Sequence, residues 1–155
     1  MTTRRDFLVL AAGTAAAPAF AQVPPNIAAL RRAALEEAVR KVTGGAAISA
    51  GKVKLDVPPL IDNGNSVPVT VSVESPMTLE NHVKAIYLFT EKNPQPNVIW
   101  AHLGPRAGRA TLSTRARIAD TGIVMAVAQL SDGSFWSEQK HVVVTLSACL
   151  EDGLI

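Results

Sequence analysis

Apolar positions between Asn26 and Val42 recur with the period of an α-helix, and charged residues occupy the opposite side. Asn26 has a side chain suited to an N-cap, and Gly44-Gly45 provides a stop. The pattern favours an amphipathic helix that packs on its own domain over one that binds a partner. The apolar stripe comprises Ile27, Leu30, Ala34, Leu35, Ala38 and Val42.

From Lys52 onward the period changes to two, which is typical of β-strands with one buried and one wet face. In the clearest strand, at residues 67–73, every second residue is valine. Ser131-Asp132-Gly133 predicts a hairpin between two long strands. The predicted strands are Lys52–Val57, Val67–Glu74, His82–Thr90, Val98–Leu103, Gly108–Ala116, Gly122–Leu130 and Ser134–Leu146.

Strands at this spacing, joined by short turns, are typical of a sandwich of two antiparallel sheets. A chain of 155 residues with 48% apolar residues fits one globular domain, and no repeat, low-complexity tract or linker interrupts it. The expected fold class is mostly β: an immunoglobulin-like antiparallel β-sandwich with an N-terminal amphipathic helix.

The first 21 residues have the pattern of a twin-arginine export signal. Arg4-Arg5 precedes an uncharged stretch from Val9 to Ala17, and Ala19-Phe20-Ala21 is a small-x-small cleavage site. An apolar stretch of about a dozen residues is well short of the roughly 20 that a membrane-spanning helix needs. We expect a cleaved signal at residues 1–21, a mature domain at residues 22–155, a periplasmic location and no membrane association after cleavage.

Charge and motifs exclude several classes of function. The net charge of +2 falls to +1 without Arg4, Arg5 and Asp6, so no large basic face for nucleic acid is expected. The chain lacks a Ser/His/Asp arrangement, a phosphate-binding glycine loop after a strand and a defining carboxylate pair. We therefore expect neither a self-sufficient enzyme nor a bound cofactor.

Three groups of residues are weaker candidates for binding. The histidines lack the spacing of metal ligands in the sequence. Strands that are distant in sequence can converge in a sandwich, so a metal site is kept as the alternative. The densest basic stretch is interpreted as a solvated strand face, with an acidic partner as the alternative. The aromatic residues are assigned to the core or rim, with a subunit contact as the alternative. The groups are His82, His102 and His141; Arg106, Arg109, Arg115 and Arg117; and Phe89, Trp100, Phe135 and Trp136.

Cys149 is the only cysteine, and it lies just after the strongly β-prone run at residues 142–146. Because chain ends are weakly held, the thiol is expected to reach solvent and the cleft of another protein. A buried, inert cysteine is the alternative. An oxidising compartment normally pairs thiols, and this one has no partner within the chain. Cys149 is therefore the candidate for covalent chemistry.

Several segments, in order, resemble the SoxY family, the sulfur-compound carrier subunits of the periplasmic thiosulfate-oxidising system. The resemblance covers essentially the whole mature chain and agrees with the export signal and the leading helix. Its segments are residues 67–77, Ile86 through Asn93-Pro94-Gln95-Pro96, Arg115–Ala119, Asp132–Trp136 and Val142–Cys149.

The resemblance implies a sandwich that forms a heterodimer with a second β-sandwich subunit, SoxZ. It implies that Cys149 is the covalent attachment site and receives thiosulfate oxidatively from a haem c-containing partner. The adduct is then presented to a hydrolase that removes sulfate and to a sulfane dehydrogenase. A carrier of this kind performs no catalysis itself.

The C-terminal arm, at about residues 147–155, departs from the family pattern. The family ends in Gly-Gly-Cys-Gly-Gly, whereas Cys149 follows Ser147-Ala148 and precedes Leu150-Glu151. Loss of the glycines stiffens and thickens the arm, and the acidic residues Glu151 and Asp152 disfavour a thiolate and repel an anion. The alternative function is a divergent binding or structural subunit that keeps the partner interface without the sulfur-carrier chemistry.

Overall fold

Residues 26–148 are described by the structure, a computed structural model. They begin with helix α1 (Ile27–Thr43). The side chain of Asn26 caps the helix by accepting a hydrogen bond of 3.3 Å from the amide of Ala29. Gly44 ends it with φ of 63°, a left-handed conformation that glycine adopts without a Cβ clash. Both predicted helix boundaries are confirmed.

The rest of the described chain consists of strands and short connections. The connection after β6 includes a 3₁₀ turn at Pro105–Ala107. The strands are β1 (Ile48–Ala50), β2 (Val53–Asp56), β3 (Leu60–Ile61), β4 (Val67–Val73), β5 (Val83–Thr90), β6 (Asn97–His102), β7 (Thr111–Ala116), β8 (Gly122–Leu130) and β9 (Phe135–Val144).

These strands form two sheets. The larger sheet has the order β1-β9-β8-β5-β6, with β3 also paired to β9, and the smaller sheet has the order β2-β4-β7. The long pairings are antiparallel, and β1 and β3 pair with β9 in parallel. The expected mostly-β, immunoglobulin-like sandwich with a leading helix is confirmed, and the two short parallel pairs are additions to the predicted pattern.

The main core lies between the two sheets. Strand β4 buries its four valines and turns the intervening residues outward, as the period of two predicts. Leu55 from β2 and Ile86 and Leu88 from β5 are fully buried in the same core. Each fully buried apolar side chain of this size stabilises the fold by about 1.5–3 kcal/mol.

Helix α1 packs on the outer face of the larger sheet, as expected for a helix held by its own domain. It buries Leu35, Val39 and Thr43, and a second apolar cluster includes Tyr87 and Phe89 from β5. The predicted apolar stripe is wrong at its start, because Ile27 and Leu30 are 49% and 59% exposed. The buried residues Leu35, Val39 and Thr43 form an i, i+4, i+8 row on one face of the helix. The predicted stripe contained Leu35 but neither of the other two.

Candidate functional site at the end of the last strand

The chain remains attached to the sandwich after β9 ends at Val144. The amide of Thr145 donates to the carbonyl of Ile61 at 2.9 Å, and its hydroxyl donates to the carbonyl of Asp62 at 3.1 Å. The amide of Ala148 donates to the carbonyl of Ala119 at 3.0 Å, and Ala148 is only 2% exposed. The residue that precedes Cys149 is therefore packed against the body of the domain.

Gly64 lies between the two segments that hold this end of the chain. Its amide donates to the carbonyl of Leu146 at 3.0 Å, and its carbonyl accepts from the amide of Ile118 at 2.8 Å. A Cβ atom at Gly64 would lie 2.1 Å from the carbonyl oxygen of Ile118 and 3.3 Å from the amide nitrogen of Ala148. Because the first neighbour is backbone, no side-chain rotation relieves the clash, and only glycine fits.

Polar side chains complete the attachment. Thr121 Oγ1 accepts a hydrogen bond of 2.9 Å from the amide of Val144. Asp120 Oδ1 accepts from the amide of Thr121 at 2.7 Å and from Ser147 Oγ at 3.3 Å. The segment at residues 117–121 therefore holds both the last residue of β9 and the residues that follow it.

The side chain of Asn93 holds the same segment through two further hydrogen bonds. Its side-chain amide donates to the carbonyl of Arg117 at 2.8 Å, and its Oδ1 accepts from the amide of Ala119 at 2.8 Å. Ala119 thus receives the Ala148 amide on its carbonyl while its own amide is held by Asn93. We name the set of Gly64, Asn93, Ala119, Asp120 and Thr121 the C-terminal clamp.

Two arginines of the predicted basic stretch lie beside the clamp. Arg117 donates to Asn65 Oδ1 at 3.2 Å, and Arg115 Nε donates to Ser66 Oγ at 2.8 Å. Arg106 and Arg109 are exposed in the connection between β6 and β7, away from this pair in sequence. The four arginines do not form one cluster of hydrogen bonds, and their exposure agrees with the expected solvated face.

Cys149 itself, with the rest of the predicted arm, lies outside the described residues, as does the predicted export signal. Ser147 and Ala148, which were expected to begin the arm, are described and are hydrogen-bonded to the clamp. The route of the chain is therefore fixed up to the residue before the thiol.

The three histidines lie at two ends of the larger sheet. His102 pairs with Ala85 near the start of β5, and His82 immediately precedes β5. His141 pairs with Ile123, at the opposite end of β8 from the residues that pair with the start of β5. Within residues 26–148 no three side chains of His, Cys, Asp or Glu are grouped as a metal site would require.

The four aromatic candidates occupy different environments. Phe89 and Phe135 are buried in the cluster under α1. Trp136 packs at the rim of the main core, with Lys52 Nζ 4.6 Å from its ring centre. Trp100 is 66% exposed on β6, at the edge of the larger sheet, so it belongs neither to the core nor to a buried rim.

The sequence matches a known protein family over most of its length. The family model of the sulfur oxidation protein SoxY matches residues 39–149, from the buried part of α1 to the cysteine. The chain belongs to the SoxY family. No curated protein matches it significantly.

A solved SoxY structure gives the same result from the fold. The structure of the sulfur carrier protein SoxY from Chlorobium limicola f thiosulfatophilum is 28% identical and superposes with a TM-score of 0.62. The similarity covers 74% of this chain and 99% of the Chlorobium chain. Nearly the whole of that SoxY chain therefore has its counterpart here.

Superoxide reductases share the architecture as well. The neelaredoxin of Ignicoccus hospitalis is 15% identical with a TM-score of 0.56, covering 63% of this chain and 94% of its own. The superoxide reductase of Nanoarchaeum equitans is 12% identical with a TM-score of 0.52, covering 62% and 100%. At these identities the likeness to the superoxide reductases shows the fold alone.

Sequence reasoning missed the clamp. It gave Gly64 and Asp120 no role, and it included Asn93 only in a segment that resembles the SoxY family. The partners of Asn93 are 24 and 26 residues away, so local pattern carries no signal of these contacts. The signal that was available is the turn cluster around Gly64, since glycine often marks a close approach of two backbones.

None of the helices in residues 26–148 combines the length and apolar character needed to cross a membrane.

Proposed function

We propose that this SoxY-family chain is a periplasmic carrier that holds sulfur intermediates derived from thiosulfate on the thiol of Cys149. The observation that carries the proposal is the position of the single cysteine: it ends the range matched by the family and directly follows the clamped residue Ala148. The Chlorobium relative is described as a sulfur carrier protein, which supports the same role here.

The chemistry of loading balances with a redox partner. The Cys149 thiolate and thiosulfate join through a new sulfur–sulfur bond, giving a thiosulfonate adduct, and two electrons pass to a haem c-containing protein. Water then attacks the terminal sulfonate sulfur on a hydrolase, which releases sulfate and two protons and leaves a persulfide on Cys149. A sulfane dehydrogenase then removes six electrons from the remaining sulfane sulfur while three waters supply its oxygen atoms and release their six protons, which leaves a sulfonate on Cys149. The carrier contributes the thiol and performs none of these steps by itself.

Membership of the SoxY family supports the proposed partners. A SoxZ-like β-sandwich subunit forms the constant heterodimer, and the three enzymes named above make transient contacts. Trp100 supports a stable contact on this chain, because it is a large aromatic side chain exposed on an edge strand, and aromatic residues of this kind often dominate binding energy at interfaces. Export by the twin-arginine route, with cleavage after residue 21, places the mature chain in the periplasm with these partners.

Mass spectrometry of the intact mature protein tests the carrier function. Incubation with thiosulfate and the haem c-containing partner should add the mass of one thiosulfate, and a Cys149→Ser variant should gain nothing. Reduction of the loaded protein with a dithiol should return the original mass. An unmodified Cys149, under conditions that load a SoxY protein with the glycine-rich arm, would contradict the proposal.

One alternative has an observation in its favour. The residues around Cys149 are not the four glycines of the family pattern, and Glu151 and Asp152 add negative charge near the thiol. The alternative is a divergent binding or structural subunit that keeps the interface with its partner and has lost the carrier chemistry. It predicts slow labelling of Cys149 by a neutral alkylating reagent in the native protein, whereas a carrier thiol should react nearly as fast as in the denatured chain.

A further inference from the structure

The clamp lies at the only covalent connection between the sandwich and the proposed sulfur-carrying thiol. Consecutive Cα atoms are about 3.8 Å apart, so the position of Ala148 fixes the starting point of everything that follows it. Ala148 is in turn fixed by its buried methyl group and by the carbonyl of Ala119. The body of the domain therefore determines where the thiol-bearing segment begins.

We infer that Gly64 is a positioning residue for Cys149: it allows residues 118–119 and 146–148 to close on one another, and this closure sets the point from which the thiol is presented. The inference rests on the proposed carrier function and concerns the same cysteine. Gly64 takes no direct part in the reactions of the Cys149 sulfur. It acts through Ala148, because its amide and carbonyl bridge Leu146 and Ile118 while its missing side chain leaves the space between them.

The reason for such a device lies in the composition of the arm. A glycine-rich arm searches for partner active sites through its own backbone freedom, whereas the arm here has alanine, leucine and glutamate around the cysteine. A stiffer arm samples fewer positions, so its productive presentation depends more strongly on where and how its first residue is held. The clamp supplies that fixed origin through hydrogen bonds on both sides of Gly64 and through the bond from Ser147 to Asp120.

The single cysteine allows a direct test. A nitroxide spin label on Cys149 of the mature protein reports the motion of that residue without labelling any other site. We expect a Gly64→Ala variant to give a more mobile spectrum and to exchange the Ala148 amide hydrogen at least about tenfold faster. The Val127 amide, in the core strand β8, should exchange at an unchanged rate, because the rest of the sandwich stays folded.

Gly104→Ala is the matched control. Gly104 has extended backbone with φ of −121°, and an added Cβ there meets no atom within 4 Å. The control should leave both the spectrum and the Ala148 exchange rate at wild-type values. A Gly64→Ala protein that matches the wild type in both measurements would overturn the inference, as would an unprotected Ala148 amide in the wild type.

A second variant is needed if Gly64→Ala also speeds hydrogen exchange at the Val127 amide, because that result would mean that the whole sandwich is destabilised. Ser147→Ala removes only the hydrogen bond to Asp120 and leaves the core intact. It should increase label mobility at Cys149 by a smaller amount with Val127 unchanged, and a wild-type spectrum would then count against the inference. None of these measurements involves thiosulfate, so their failure is distinct from failure of the carrier function, which the adduct mass tests.

For the loading reaction, Gly64→Ala should raise the KM of the loading enzyme for this carrier more than it lowers kcat. The thiol itself is unchanged, and only its presentation to the enzyme is altered. Reaction of Cys149 with a small neutral reagent should be as fast as in the wild type or faster. An equal loss of reactivity toward the enzyme and the small reagent would indicate a buried thiol and would overturn the positioning role.

Discussion

The carboxylate of Glu138 on β9 accepts a hydrogen bond from the backbone amide of Leu55 on β2. It therefore joins the two sheets, because β9 belongs to the larger sheet and β2 lies at an edge of the smaller one. Replacing Glu138 by alanine should lower the free energy of unfolding by about 1.5–3 kcal/mol, the cost of losing a hydrogen bond to a charged acceptor. Denaturant unfolding of the mature protein measures it.

Glu138→Gln is the matched control, since it keeps an acceptor oxygen of the same reach and should lose less than half as much stability. Equal losses in the alanine and glutamine variants would show that the charge of Glu138, and not the bond to Leu55, is what matters.

Substitution of the two aromatic residues Trp100 and Phe89 should lower stability by very different amounts. Trp100 is largely exposed at a sheet edge, so Trp100→Thr, which keeps a strand-forming residue, should cost less than about 1 kcal/mol. Phe89 is fully buried beneath α1, so Phe89→Ala should cost about 3–5 kcal/mol. Thermal and denaturant unfolding of both variants provide the comparison.

If Trp100 also anchors the proposed partner subunit, Trp100→Thr should weaken co-purification with that subunit while the isolated chain keeps its stability. Loss of stability in the isolated chain would instead place Trp100 in its own fold.

Asp132 makes the stability of the hairpin between β8 and β9 depend on pH in the acidic range. The hydroxyl of Ser134 donates to Asp132 at 2.7 Å and its amide donates at 2.8 Å, and these hydrogen bonds lower the pKa of the carboxyl below its ordinary value. A folded pKa that is lower than the unfolded one stabilises the fold above the unfolded pKa of about 3.9. That contribution is lost as the pH falls through the folded pKa.

An Asp132→Asn variant should therefore unfold with a shallower pH dependence below about pH 4, and it should differ little from the wild type in slope near neutral pH. Because Asp132 is fully exposed, the effect should be small, and chemical shifts of the Gly133 and Ser134 amides are the sensitive readout. A titration of these amides identical in both proteins would contradict the assignment.

Asn93 should be important for the end of the chain despite its place in a surface turn. Asn93→Ala removes two hydrogen bonds to residues 117 and 119, which should cost about 1–3 kcal/mol and increase hydrogen exchange at Ala119 and Ala148. Gln95→Ala, in the same turn and exposed, should change neither quantity. Similar exchange in the two variants would remove Asn93 from the clamp.

Much of the sandwich was predictable because its strands carry their own signal. The alternating valines of β4 and the run of β8 at Gly122–Leu130 match the predicted ranges, and the hairpin at Ser131-Asp132-Gly133 is confirmed by the φ of 86° at Gly133. In these elements one buried face repeats often enough to define the period.

The rest depends on contacts between distant residues. Strands β1 and β3 span three and two residues, too few to show a period, and they exist through their parallel pairing with β9. The buried row of α1 is set by the sheet beneath it, which is why Val39 is buried and Leu30 is not. Gly64 is similar: its neighbours Ile118 and Ala148 are brought to it only by the fold.

The parallel pairing of β1 with β9 has a mechanical consequence. Force applied at the N-terminal side of β1 and at the C-terminal side of β9 pulls the two paired strands past one another along their length, so their ladder of bonds is loaded in shear. The same force loads β3 against the final residues of β9. Bonds loaded together resist more than bonds opened one at a time, so these strands should resist pulling along their length more strongly than they resist being peeled apart from one end.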